Sequence, residues 1–274
     1  MTFDFLNLPL LFLDNLDVVW TFLLLALRFT GLFMFIPGLG GGPTGAIIRT
    51  PAILAIALAA TFSSPHAILP DNWVGLIGQA FSEMALGVMF GIIPRMIVDG
   101  VQTAGQLSGA TMGLGAAQLL DPNLGMNVSS ISRVMGDLVV VVFLLLGGHY
   151  LVIHAAAGLG GQIIPGTFIV GGASLDVLVA SSSNIFKIGV MVSAPVIVAL
   201  LLTQFVMGLV TKAVPTVNIF IVSFPLTIGI GLVLTALTLP ELIKYIEKEF
   251  QMIEPAITEF VQEMPKPAGF KLVK

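Results

Sequence analysis

Long runs without a single charge are the feature that most limits what this chain can become. Residues 138–175 and 213–240 contain no Asp, Glu, Lys or Arg, and 188–211 is charge-free between Lys187 and Lys212. A water-soluble domain keeps roughly 25% of its residues charged. Here 9% are charged and 57% hydrophobic, with a mean hydropathy of +1.05, so too little polar surface exists to cover the chain in water. A bilayer with a hydrocarbon core roughly 30 Å thick accepts apolar helices of about 20 residues. The pattern predicts an all-α, polytopic integral membrane protein with about six hydrophobic helices, near 16–36, 46–64, 73–98, 135–157, 185–209 and 216–239.

The same composition excludes several classes of function. A net charge of −4 with 11 Lys+Arg offers no concentrated cationic face for nucleic acid. The absence of Cys removes thiolate metal sites and cysteine nucleophiles. Neither His-Glu-x-x-His nor Gly-x-Ser-x-Gly occurs, and His149 and His154, five residues apart, do not share a helix face. No cofactor, metal site or catalytic residue is implied, and the chain reads as something other than an enzyme.

No Lys or Arg precedes Arg28, so the first span lacks the positive start of a cleaved signal peptide and is expected to be retained. Arg49, Arg95, Arg133 and Lys212 alternate with the stretches 65–72 and 158–184, which lack Lys and Arg, and this alternation puts the N-terminus outside. Six crossings then put the tail outside as well, although it holds Lys244, Lys248, Lys266, Lys271 and Lys274. Three resolutions stay open. One span does not cross, the tail's Glu residues offset its Lys, or the chain does not sit in lipid as a conventional bundle.

The tail, 241–274, is the only polar extension. Leu242, Ile246, Phe250, Ile253, Ile257 and Phe260 recur at spacings of three and four, opposite Glu247, Lys248 and Glu249, which is the stripe of an amphipathic helix. It suits either an interfacial helix on lipid headgroups or one docked on a partner protein. Pro255 is expected to interrupt it.

The most informative stretch is 79–149. Glu83, Gly87, Gly91, Arg95 and Asp99 recur every four residues, so each neighbouring pair lies on one face of a helix. Gly87 and Gly91 permit close approach of another helix, and Arg95 can pair with Asp99 one turn away. Arg133 and Asp137 have the same spacing. An intramembrane carboxylate is by default a functional candidate; the alternative for Glu83 is a hydrogen-bonded packing residue. Beyond Gly100, the glycines 105, 109, 113 and 115 predict a broken helix or re-entrant loop, with Asp121-Pro122 marking a turn. A loop carrying Gly109, Met112, Gly113, Leu114 and Gly115 suits either a plug that seals a wide pore or a plain helix-helix turn. Pro215 to Asn218 forms a second turn signal.

Taken in order, Gln102-x-x-x-Gln106-x-x-Gly109, Met112-Gly-x-Gly, Asp121-Pro-x-x-Gly125, Ser129-x-x-Ser132 and Gly148-His149 resemble the central signature of the FliR/SctT-type family of type III export-gate proteins. The resemblance continues through Ala194-Pro195, Gly208, Pro215-x-x-Asn218-x-Phe220, Phe224-Pro225 and Leu239-Pro240, and covers nearly the whole chain. One departure is Gly147, where the family pattern has Asn.

The resemblance implies a subunit of the channel through which unfolded flagellar proteins leave the cytoplasm, assembled with FliP and FliQ beside FlhB and FlhA. It implies a location in the bacterial inner membrane at the flagellar basal body, in contact with lipid. A virulence type III secretion system is the alternative home, and a small-solute transporter the more distant one. By the same resemblance, 1–180 is a FliP-like helical part with a plug-type loop near 106–130, 181–240 a FliQ-like hairpin, and 241–274 an amphipathic tail. The family's assemblies stand largely out of the bilayer plane, which turns apolar spans into protein contacts.

Overall fold

In this computed structural model the described residues are 15–39, 42–114, 130–158, 163–169, 172–214 and 219–263, and they contain helices but no strand. In chain order the helices are α1 (Leu16–Phe35), α2 (Gly42–Ser63), α3 (Trp73–Met112), α4 (Ser130–Leu145), α5 (Gly148–Ala156), α6 (Gly172–Ala213), α7 (Ile219–Gln251) and α8 (Ile253–Glu263). They fall into two units. One lies within residues 1–95, 147–179 and 252–274, the other within 96–146 and 180–251.

In the first unit, α1 packs between the start of α3 and α2. Its inward face carries Leu24, Leu25, Phe29, Leu32 and Phe33, all buried, as are Leu86, Met89 and Phe90 on α3. Ile36 leaves the helix at φ −56 and ψ 129, the extended geometry that a residue before proline is pushed into, and Pro37 follows. Three glycines let the α1 and α3 backbones touch: Gly31 beneath the Met84 carbonyl, Gly87 beneath that of Arg28, and Gly91 where a Cβ would lie 2.7 Å from the Leu32 carbonyl oxygen. The close helix approach expected at Gly87 and Gly91 is therefore made by this chain's own first helix.

In the second unit, the C-terminal half of α3 packs on α4 and α6. Gly100 faces Ile188, Gly105 faces the backbone of Ser132, Gly136 faces Gln102, and Gly189 faces Thr103. Ser132 donates its hydroxyl to the Gln102 carbonyl at 2.7 Å. Over 100–112 these contacts correct the expectation of a broken helix, because α3 continues unbroken through Pro94, Gly100, Gly105 and Gly109 and ends only at Met112; residues 115–120 lie outside the described residues. A glycine in a helix costs roughly 1 kcal/mol relative to alanine. Here the side chains and backbone packed into the space left by each missing Cβ offset that loss.

Four helical stretches among the described residues are long and apolar enough to span a membrane: Leu16–Phe35, Trp73–Met112, Leu178–Ala213 and Val222–Thr258. α4 and α5, separated at Gly147, supply a fifth if they form one broken span. The expected span at 46–64 falls on α2, which runs Gly42–Ser63 with Pro51 inside it and includes the apolar stretch Arg49–Ser63.

The tail stripe turns inward rather than toward headgroups or a partner. Leu242, Ile246, Phe250, Ile253 and Ile257 are all buried, and the Phe250 ring lies 5.1 Å from that of Phe143 on α4. The helical path breaks at Met252, before Pro255, which falls in the first turn of α8 where its missing N–H costs no bond.

Candidate functional site: a buried ion pair and the capped end of a long helix

In the first unit, Glu83 is not a lone carboxylate. Its Oε2 accepts from Arg28 Nε at 2.6 Å, and both side chains are 0% exposed. Its Oε1 accepts the Gly166 backbone N–H at 2.7 Å, while Arg28 Nη1 donates to the Ala156 carbonyl at 3.0 Å. The pair thus joins α1, α3, the end of α5 and the turn at Gly166. Two buried charges are tolerable only when matched and hydrogen-bonded in this way. The arrangement is that of a buried, hydrogen-bonded ion pair linking these elements.

Reading the sequence alone missed Arg28 as the partner, 55 residues away. A signal was present: Arg28 and Glu83 each interrupt an apolar span, and opposite charges in that position need one another. Of the remaining expected pairs, Arg95 and Asp99 sit one turn apart on α3, and Arg133 and Asp137 are exposed one turn apart on α4. His149 stacks on Tyr150 with ring centroids 4.0 Å apart. His154 lines a cavity of about 480 Å³ with Tyr150, Leu151, Glu254 and Ile257.

In the second unit, the segment carrying Gly109, Met112, Gly113 and Leu114 is the terminus of α3. Gly113 has φ +86, the left-handed geometry that glycine adopts without penalty. The Leu114 N–H returns to the Gly109 carbonyl and the Gly113 N–H to that of Ala110, both at 3.1 Å, which is the Schellman form of helix ending. The next two carbonyls are capped from a distance. Gln204 Nε2 on α6 donates to Thr111 O at 2.9 Å, and Thr227 Oγ1 on α7 donates to Met112 O at 3.1 Å.

Met112 itself is 0% exposed and clusters with Val196 and Leu200, bordered by Leu114, Ile131, Ile230 and Leu234. Its side chain fills the notch at Gly231, where a Cβ would lie 2.5 Å from Met112 Cγ. Thr227 and Gln204 were not foreseen, since single polar residues on apolar helices carry no sequence signal of their partner. Gly115, Asp121, Pro122, Pro215 and Asn218 lie outside the described residues.

Long apolar helices with a clamped ion pair inside define a polytopic α-helical membrane protein. The chain matches the family of bacterial export proteins, family 1, over residues 19–253, and it belongs to that family, the FliR type. It is 28% identical over 225 residues to the flagellar biosynthetic protein FliR of Escherichia coli (strain K12), covering 77% of this chain and 83% of that protein. It is 30% identical over 217 residues to FliR of Caulobacter vibrioides, covering 77% and 85%. The Yop proteins translocation protein T of Yersinia pestis is 23% identical over 255 residues, covering 90% and 96%.

Proposed function

We propose that this protein is a subunit of a type III protein export gate that serves a flagellum, and that it helps form and seal the channel for unfolded flagellar proteins. Membership of the export family and relatives named as flagellar biosynthetic proteins support the export role. The physical observation that carries the gate role is uncovered apolar surface. In the most apolar stretch only 28% of the Leu178–Ala213 helix and 11% of the Val222–Thr258 helix is buried by the chain itself, against 61% for α3. Phe186, Val190, Val198, Leu202, Phe205 and Leu209 stand exposed along α6. Faces of this extent suit subunits of matching apolar chemistry, and FliP, FliQ, FlhB and FlhA are the partners we assign.

In this scheme residues 1–180 serve as a FliP-like part and 181–240 as a FliQ-like hairpin, within the inner membrane at the basal body. The segment starting at Gly109 seals the pore, with Met112 as its buried anchor. The protein's role is passive, and the energy for export comes from other components.

Purification in mild detergent with identification of every co-purifying membrane protein tests the assignment. FliP-like and FliQ-like partners support it, injectisome partners redirect it to a virulence system, and a lone monomer overturns it. Deleting residues 110–117 in an assembled complex is expected to raise the leak of ions; conductance at the sealed level overturns the sealing role.

A further inference from the structure

The end of α3 is held by two kinds of bond that respond differently to movement. The Schellman bonds of Gly113 and Leu114 are local and travel with the helix. The bonds from Gln204 and Thr227, and the seat of Met112 at Gly231, depend on where α6 and α7 lie. Thr227 also has acceptors inside its own helix, Ser223 O at 3.0 Å and Phe224 O at 3.2 Å. A hydroxyl carries one proton, so when α7 draws away it can turn to its own backbone and no donor is left unpaired. The Met112 side chain is unbranched and adapts to new surroundings. The Thr227 hydroxyl is therefore satisfied whether the junction is latched or released.

α7 is also the long helix least covered by its own chain, so whatever packs on its outer face acts on this junction directly. We propose that Met112, Thr227, Gln204 and Gly231 form a latch through which contacts on the outer face of α7 hold or release the sealing segment. The latch rests on the sealing role proposed above and adds its control element.

The chain has no Cys, which permits a direct test with Met112→Cys and Gly231→Cys together. The Gly231 Cβ would lie 2.5 Å from Met112 Cγ. One further carbon–carbon bond puts the two Cβ atoms within about 4 Å, inside disulfide range. Oxidising the assembled complex is expected to cut export at least tenfold, with recovery on reduction and no effect of oxidant on the wild-type complex. Undiminished export by cross-linked complexes overturns the latch. Should the double variant fail to assemble, Thr227→Val with Gln204→Leu removes only the two distant donors, and ion conductance of the closed complex is expected to rise several-fold. Conductance at the wild-type level overturns the latch. Deleting the whole chain separates the two ideas, since export that survives deletion overturns the proposed function itself.

Discussion

Arg28 meets α3 twice, with its carbonyl resting on Gly87 and its guanidinium bonded to Glu83 at 2.6 Å, one helical turn earlier. The two contacts require each other. Without a glycine at 87 the helices stand further apart, and at a greater separation the guanidinium no longer reaches the carboxylate from a fully buried position.

A double-substitution cycle tests the clamp. Glu83→Ala or Arg28→Ala strands a buried charge and is expected to cost about 3–5 kcal/mol. Arg28→Met combined with Glu83→Leu removes both charges at similar volume and is expected to recover most of that loss. Thermal unfolding in detergent measures all three. Additive losses in the double variant would show that the pair is not coupled.

A graded glycine series tests the helix contact. Gly87→Ala places a methyl inside the Arg28 carbonyl and is expected to destabilise by about 3 kcal/mol, the upper end for overpacking. Gly91→Ala, with 2.7 Å to Leu32 O, should cost less, and Gly208→Ala and Gly229→Ala, inside helices with nothing within 4 Å, should stabilise by up to about 1 kcal/mol. Because the contact is internal, the loss should appear in the isolated protein. If Gly87→Ala lowers only the yield of the complex and leaves the isolated chain's unfolding temperature unchanged, the contact has been misassigned.

The family departure at Gly147 has a backbone explanation. Gly147 sits at φ +72 between α4 and α5, and a Cβ there would meet only Tyr150 Cδ2 at 3.6 Å. Asn is among the few other residues that tolerate this region. Gly147→Asn is expected to change stability by less than about 0.5 kcal/mol, whereas Gly147→Val should cost at least about 1 kcal/mol. Equal effects of the two substitutions in thermal unfolding would remove backbone conformation as the reason.

Phe250 holds the end of α7 onto α4 through Phe143. Phe250→Ala is expected to cost about 3–5 kcal/mol. Limited proteolysis should then cut near Met252, at the break between α7 and α8. An unchanged digestion pattern would mean that other contacts suffice to hold the tail.

What the sequence disclosed follows the range of the physics involved. Apolar runs and the stripe from Leu242 to Ile257 are local patterns, so the helices and the tail's buried face were legible. Gly100, Gly105 and Gly109 misled because a missing side chain means a break in isolation and a contact point in a packed helix, and only the neighbour tells which. Gly105 against Ser132 is such a case. The partners of Thr111 and Met112 were invisible for the same reason, since Gln204 and Thr227 are brought in by tertiary packing, whereas Arg28 and Glu83 betrayed their need of one another only by each interrupting an apolar span.

The lengths of α3 and α6, 40 and 42 residues, have a consequence for how the protein responds to its lipid. At 1.5 Å per residue each is about 60 Å long. To fit wholly within roughly 30 Å of hydrocarbon such a helix would need to tilt by about 60°, beyond the range of up to about 40° seen for membrane helices. Each helix therefore extends past the hydrocarbon whatever the lipid composition. A bilayer a few ångströms thicker or thinner merely slides along it, and hydrophobic mismatch, which sorts ordinary membrane proteins among membranes, has little hold on this one.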